Sequence, residues 1–118
     1  MANGALVIGW GSVIPGREQK SLQVFNEAIH FYTRLQQQGT IESFEAVALD
    51  YHGGELQGFL LIRGDREKLN ALRSSGEFLS LNNRAALVIN NLGVINAFIG
   101  EELQRLFADF GTQADQLG

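Results

Sequence analysis

Short apolar runs alternate with turn-forming residues, and the spacing changes character along the chain. Leu6-Val7-Ile8 is a continuous apolar triplet followed by Gly9, Trp10 and Gly11, which predicts a strand over Gly4 to Ser12. The single proline, Pro15, ends it together with Gly16, because proline cannot donate to a ladder and suits a helix start. From Arg17 to Gln38 the period switches to three and four. Leu22, Phe25, Ile29, Tyr32 and Gln36 define a stripe, and Val24, Ala28, Phe31 and Leu35 widen it to about half the wheel. Gly39 stops this helix. Two strands follow, Ile41 to Tyr51 and Leu56 to Arg63, around His52-Gly53-Gly54-Glu55. A Gly-Gly pair between apolar runs signals a tight hairpin, whose central positions want φ > 0. With Gly53 and Gly54 as the loop, Tyr51 meets Leu56, Leu49 meets Gly58, Val47 meets Leu60 and Glu45 meets Ile62. That register sets Val47, Leu49, Leu56, Leu60 and Ile62 on one face and Phe44, Ala46, Ala48, Phe59, Leu61 and Arg63 on the other.

Gly64-Asp65 caps a short helix, Arg66 to Arg73, and Ser74-Ser75-Gly76 interrupts it. Glu77 to Ile89 reads as a second helical stretch, with Phe78, Leu81, Ala85 and Val88 on one face. Asn90-Asn91 is a turn, Leu92 to Ile99 a strand, and Gly100 a break. Glu101 to Phe110 is a last helix, followed by a polar tail, residues 112–118, expected to be flexible. The order β-α-β-β-α(α)-β-α contains the split β-α-β motif of a ferredoxin-like sheet. The expectation is one α+β domain over residues 1–118: a four-stranded antiparallel sheet, helices on one face, and an extra C-terminal helix.

The open face of that sheet is the informative part. A half-solvated sheet alternates apolar with polar residues, whereas these hairpin strands are apolar on both faces. Phe44, Ala46, Ala48, Phe59 and Leu61 would form a patch too large to leave in water on a small monomer. Covering a few hundred Å² is worth several kcal/mol at ~25 cal/mol per Å². A second copy of the chain is the expected cover, since twofold homodimers are the commonest assembly. The alternative is that the C-terminal helix folds back over its own sheet.

Trp10-Gly11, Pro15-Gly16-Arg17-Glu18, Val24-Phe25, His52-Gly53-Gly54-Glu55-Leu56 and Gly58-Phe59 resemble small bacterial proteins of the dimeric α/β-barrel superfamily. In that superfamily two ferredoxin-like protomers pack sheet against sheet. The resemblance spans about residues 5 to 100. It implies a dimeric α/β-barrel assembly within a group that includes small monooxygenases, heme-degrading enzymes, dehydratase-like proteins and ligand domains of regulators. No motif allows a functional residue of those enzymes to be carried over.

Composition narrows the chemistry. The 118 residues carry a net charge of -4 with nine Lys plus Arg, which argues against nucleic acid as a partner. No cysteine is present, so a thiol nucleophile, a zinc knuckle and an iron–sulfur cluster are excluded. Apolar runs stop far short of the ~20 residues that span a bilayer, and no basic-then-apolar leader opens the chain. The expected setting is cytoplasmic, with no membrane partner.

The Gly9 to Glu18 turn fails as a phosphate loop. Ile14 stands where a dinucleotide fingerprint needs glycine, and Arg17-Glu18 stands where a P-loop needs Lys-Ser/Thr. Its helix N-terminus leaves only weak anion binding. Trp10 between two glycines reads as a core or pocket wall. His52, near Asp50, Glu55 and Gln57, is the one place where a histidine and carboxylates converge, so His52 and Asp50 are the candidate proton-transfer pair. Arg63 on an apolar face is a candidate carboxylate anchor, or a partner for Glu42 or Asp50. Trp10, Phe44, Phe59 and Arg63 are the candidate ligand-binding set. Asn96 between apolar neighbours reads as a buried polar group. His30 lies on the polar arc of the long helix with Asn26 and Arg34, and no metal-ligand set is found. No cofactor is expected; neither histidine is placed as a heme ligand. Two readings stand: a small-molecule site between sheet and helices, enzymatic or not, and a non-catalytic interaction protein whose sheet face is used up by dimerisation.

Overall fold

The computed structural model describes residues 3–118. Its elements are β1 (Gly4–Trp10), α1 (Glu18–Gln37), β2 (Ser43–Ala48), β3 (Gly58–Gly64), α2 (Arg66–Arg73), α3 (Gly76–Ala86), β4 (Gly93–Ala97) and α4 (Gly100–Leu117). The strands form one antiparallel sheet in the order β2-β3-β1-β4. Helices α1, α2 and α3 cover one face. The expected α+β, ferredoxin-like architecture is therefore the observed one.

Side-chain alternation divides the sheet cleanly. Leu6 and Ile8 of β1 and Leu60 and Ile62 of β3 point to the helices and are buried. They meet Tyr32 and Leu35 of α1, Leu69 and Leu72 of α2, and Phe78 of α3. The helix starts follow their local chemistry. Asp65 accepts from the Lys68 amide and Ser75 from the Phe78 amide, each satisfying a donor that the first turn leaves free. Helix α1 begins without a side-chain cap, behind Gly16 at φ 87°.

The hairpin register differs by one residue from the predicted one. Ala48 pairs with Gly58, Val47 with Phe59, Ala46 with Leu60 and Phe44 with Ile62. Strand β2 stops at Ala48, and the connection is a longer loop, closed by the Leu49 amide donating to the Gln57 carbonyl at 2.9 Å. The shift turns Phe44 to the helix side, where its ring lies 5.8 Å from that of Tyr32. Val47 turns to the open face. Packing the larger ring against α1 outweighs the two-residue turn, and the longer loop that forms instead leaves Tyr51 97 % exposed.

Other boundaries move for similar reasons. Strand β1 ends at Trp10 and α3 at Ala86. Beyond α3, Ile89 forms an isolated bridge with Val13, and Asn90 donates to Ser12 twice, from its amide to the carbonyl and from Nδ2 to Oγ. Strand β4 is confined to Gly93–Ala97. Helix α4 runs through Gly111 to Leu117, where the sequence predicts a break and a polar tail.

Val7, Val47, Phe59, Leu61 and Ile95 line the open face, and Ile95 is 55 % exposed. Helix α4 does not cover this face. None of its residues is buried, and among the described residues no other element packs along it.

Candidate functional site

The site that the fold builds lies between the sheet and helices α1 and α3. Trp10, at the end of β1, points to the helix side like Leu6 and Ile8. Its ring lies across β3 because Gly58 has no side chain: a Cβ there would stand 2.6 Å from Trp10 Cζ2 and 2.7 Å from the Val47 carbonyl. Phe25 of α1 holds the ring edge-on at 5.9 Å and 73°. Behind the tryptophan is a pocket of about 230 Å³. Sheet residues Ile8 and Leu60, Phe25 and Ala28 of α1, and Leu81 and Ala85 of α3 wall it. Val13 and Leu22, both exposed, stand at its rim.

The Ser12 to Pro15 segment is held over this pocket by the segment after α3. The Gly11 amide donates to the Asn90 carbonyl at 2.8 Å, and the Ile14 amide donates to the Val88 carbonyl at 2.9 Å. Gly11 is required here, since a Cβ would stand 2.8 Å from that Asn90 oxygen. Gly11 thus serves a close backbone approach, while a Cβ at Gly9 would meet only the Leu56 side chain at 3.2 Å and backbone no nearer than 3.9 Å.

The lining is almost wholly apolar. Ser21 and Asn82 supply its polar side chains. Asn82 donates to the Phe78 carbonyl at 2.9 Å, which leaves its Oδ1 available. Nearby, the Tyr32 hydroxyl is buried and has no hydrogen-bond partner among the described residues. Burial pushes that phenol far above its ordinary value, while the Asn82 side chain pulls it down. Tyr32 is therefore a neutral donor.

The sequence candidates scatter around this pocket, and only Trp10 lies on it. Phe44 is on the helix side but packs on Tyr32, outside the pocket. Phe59 faces the open side. Arg63 lies on the open face and pairs with Glu45 at 3.0 Å, not with Glu42 or Asp50. Asn96 is exposed and accepts from Arg66 at 3.1 Å and Arg73 at 3.0 Å, so it is not a buried polar group.

His52 and Asp50 are not paired either. His52 Nδ1 accepts from the Gly54 amide at 3.2 Å, so the proton sits on Nε2, which donates to the Leu56 carbonyl at 2.6 Å. Both ring nitrogens are used in tying the loop, and neither faces the pocket. His52→Ala should leave any ligand affinity of the pocket within about twofold of wild type, a change of ~0.4 kcal/mol. It should raise proteolytic nicking between Asp50 and Leu56, measured by limited digestion.

His30 borders a second, open cleft of about 600 Å³ between α1 and α3. The Arg34–Glu77 and Arg84–Glu27 ion pairs cross it, and all four side chains are substantially exposed. Pairs of this kind contribute ~0–1 kcal/mol. Among the described residues no group of three His, Cys, Asp or Glu side chains is placed to hold a metal ion. Among the described residues no helix is long and apolar enough to cross a membrane.

Asn82 is absent from the sequence candidates although a signal is present. It falls four residues after Phe78 and three before Ala85, inside the apolar stripe of α3, where a polar residue has no solvent reason to be.

The sequence matches no family model and no curated protein. Solved structures do match. A dimeric protein of unknown function and ferredoxin-like fold from Bacteroides fragilis superimposes with a TM-score of 0.59 at 12% identity, covering 82% of this chain and 97% of its own. A putative antibiotic biosynthesis monooxygenase from Bacteroides thetaiotaomicron gives 0.58 at 18% identity, over 82% and 90%. A cofactor-independent oxygenase from Streptomyces nogalater gives 0.51 at 14% identity, over 85% and 98%. Strand order, helix placement and these superpositions agree that the chain has the ferredoxin-like fold.

Proposed function

We propose that this protein is a homodimer that binds a compact, ring-shaped, mostly apolar molecule in the Trp10 pocket. The carrying observation is the pocket itself: about 230 Å³ of apolar space walled by Trp10 and Phe25, with Asn82 as a polar contact. A dry cavity of ~150 Å³ accepts benzene, and drug-sized ligands need ~300 Å³ or more. The volume therefore suits one or two fused rings. Asn82 Oδ1 would accept from a hydroxyl on such a ligand. The apolar open face supports the dimer, as does the dimeric state of the Bacteroides fragilis protein.

Binding is favoured over acid–base chemistry because no carboxylate or imidazole lines the pocket. Oxygenation of the bound ring is a second reading. The neighbours described as a putative monooxygenase and a cofactor-independent oxygenase raise it.

Native mass spectrometry of gently purified protein tests both parts. The expected mass is two chains plus a small-molecule increment. Two chains with no increment, together with no uptake from a panel of one- and two-ring compounds, would remove the ligand reading. A gain of one or two oxygen atoms by an added ring compound in air would move the proposal from binding to oxygenation.

A further inference from the structure

The Trp10 pocket has a long axis and two unlike ends. From α1 it takes Ser21, Leu22, Val24, Phe25 and Ala28, which spread over two helical turns, or ~10 Å at ~1.5 Å per residue. The Arg84–Glu27 and Arg34–Glu77 pairs show that α3 runs antiparallel beside α1. That register sets Asn82 level with Ala28, at the inner end. Asn82 is tied there to the Phe78 carbonyl, and Phe78 is buried, so this end is closed and polar. At the other end Leu22 is 57 % exposed, and Val13, bridged to Ile89, is 37 % exposed. This end is open and, Ser21 apart, apolar. No charged side chain lines the pocket anywhere along its length.

A compact ring fills the middle, between Trp10 and Phe25, and leaves the open end unused. We propose that the ligand is a neutral phenol with an unbranched apolar tail para to its hydroxyl. The inference rests on the ring-binding reading above and adds the polarity and shape of the ligand. The hydroxyl donates to Asn82 Oδ1, the ring lies beside Trp10, and the tail runs out over Val13 and Leu22. A para substituent continues the line from hydroxyl through ring, so that isomer matches the axis of the pocket. A carboxylate head is disfavoured, because it would leave water with no cation to meet it. The tail takes apolar surface of Val13 and Leu22 out of water along with its own. A fully buried methylene raises affinity about fourfold, and one lying on a half-exposed rim about twofold.

Calorimetric titration with phenol, 4-butylphenol, 2-butylphenol and 4-butylbenzoate at neutral pH tests this. The expected affinity for 4-butylphenol is at least about tenfold tighter than for phenol, from methylene steps of about twofold each. The ortho isomer is equally apolar but lies across the axis, and should bind within about threefold of phenol. Leu22→Asp, at an exposed position, should bring the ratio of 4-butylphenol to phenol affinity down to about threefold or less. An unchanged ratio would overturn the route past Leu22. Equal gains for both butylphenols would overturn the axis, because apolar area alone would explain them. Equal affinity for phenol and 4-butylphenol would overturn the tail and leave the ring pocket standing. A 4-butylbenzoate that binds as tightly as 4-butylphenol would overturn the neutral head. No saturable binding of any of the four to folded protein would remove the ring-binding reading and the tail with it.

Discussion

Arg66→Ala should destabilise the domain by about 1.5–3 kcal/mol, the scale of hydrogen bonds to charged groups in a part-buried site. All five guanidinium N–H donors are in use. Nε and Nη2 grip Glu102, Nη1 bonds the Ala5 carbonyl and Asn96, and Nη2 also reaches the Ala97 carbonyl. The Arg66 and Glu102 side chains are only 18% and 17% exposed. Alanine would strand a carboxylate and two backbone oxygens together, and would untie β1, β4 and α4 from α2. Gly4 belongs to this arrangement, because a Cβ there would stand 2.8 Å from Arg66 Nε. Urea denaturation of wild type and variant measures the loss. A change below about 1 kcal/mol, the size of a surface pair, would show that the cluster is decoration.

The same fork predicts a pH dependence. Hydrogen bonding to Arg66 holds the Glu102 carboxyl below its ordinary 4.5, against an opposing effect of burial. A carboxyl depressed in the folded state contributes stability above its unfolded value and loses it as pH falls through the folded one. The acid limb below pH 4.5 should therefore be steeper in wild type than in Glu102→Gln. Arg66 stays charged throughout and adds no slope.

Gly58→Val should displace Trp10 and close the pocket. Both nearest obstacles are within 2.7 Å of the added Cβ, and one is the Val47 carbonyl of the neighbouring strand, which cannot move without breaking the ladder. Overpacking of this kind costs ~1–3 kcal/mol, and the rigid neighbour puts the expectation at the upper end. Trp10 is the only tryptophan, so its emission reports the displacement directly. A red shift and at least about a tenfold loss of ligand affinity are expected, equivalent to ~1.4 kcal/mol. Gly54→Val makes the control, since its nearest obstacle is the exposed His52 ring and not the pocket.

Much of this is legible in the residues. Strand and helix periods, the Asp65 cap and the element order lead to the ferredoxin-like arrangement, because each rests on local spacing, whereas Ser75 reads only as part of an interruption and turns out to cap α3. The hairpin register is not legible. Gly53-Gly54 argues for a two-residue turn, but the decision between Phe44 and Val47 for the core belongs to Tyr32, on another element. Trp10 reads as a wall from the sequence, while Gly58, which makes room for its ring, becomes meaningful only once β1 is known to pair with β3. Sequence proximity draws His52 and Asp50 together, and the loop turns the imidazole onto its own backbone. Arg66 draws no attention because its side-chain partners lie 30 to 61 residues away.

The central claim is that the Trp10 pocket accepts a small ring compound, and a fluorescence titration reads it most directly. The probe is 1,4-naphthoquinone, a two-ring quencher that finds no cysteine here to react with. The comparison is Ala28→Phe, which fills the pocket from α1, with thermal melts to verify that it folds. The account predicts saturable quenching of Trp10 in wild type and none beyond the linear collisional slope in Ala28→Phe. The same linear slope in both proteins would contradict it.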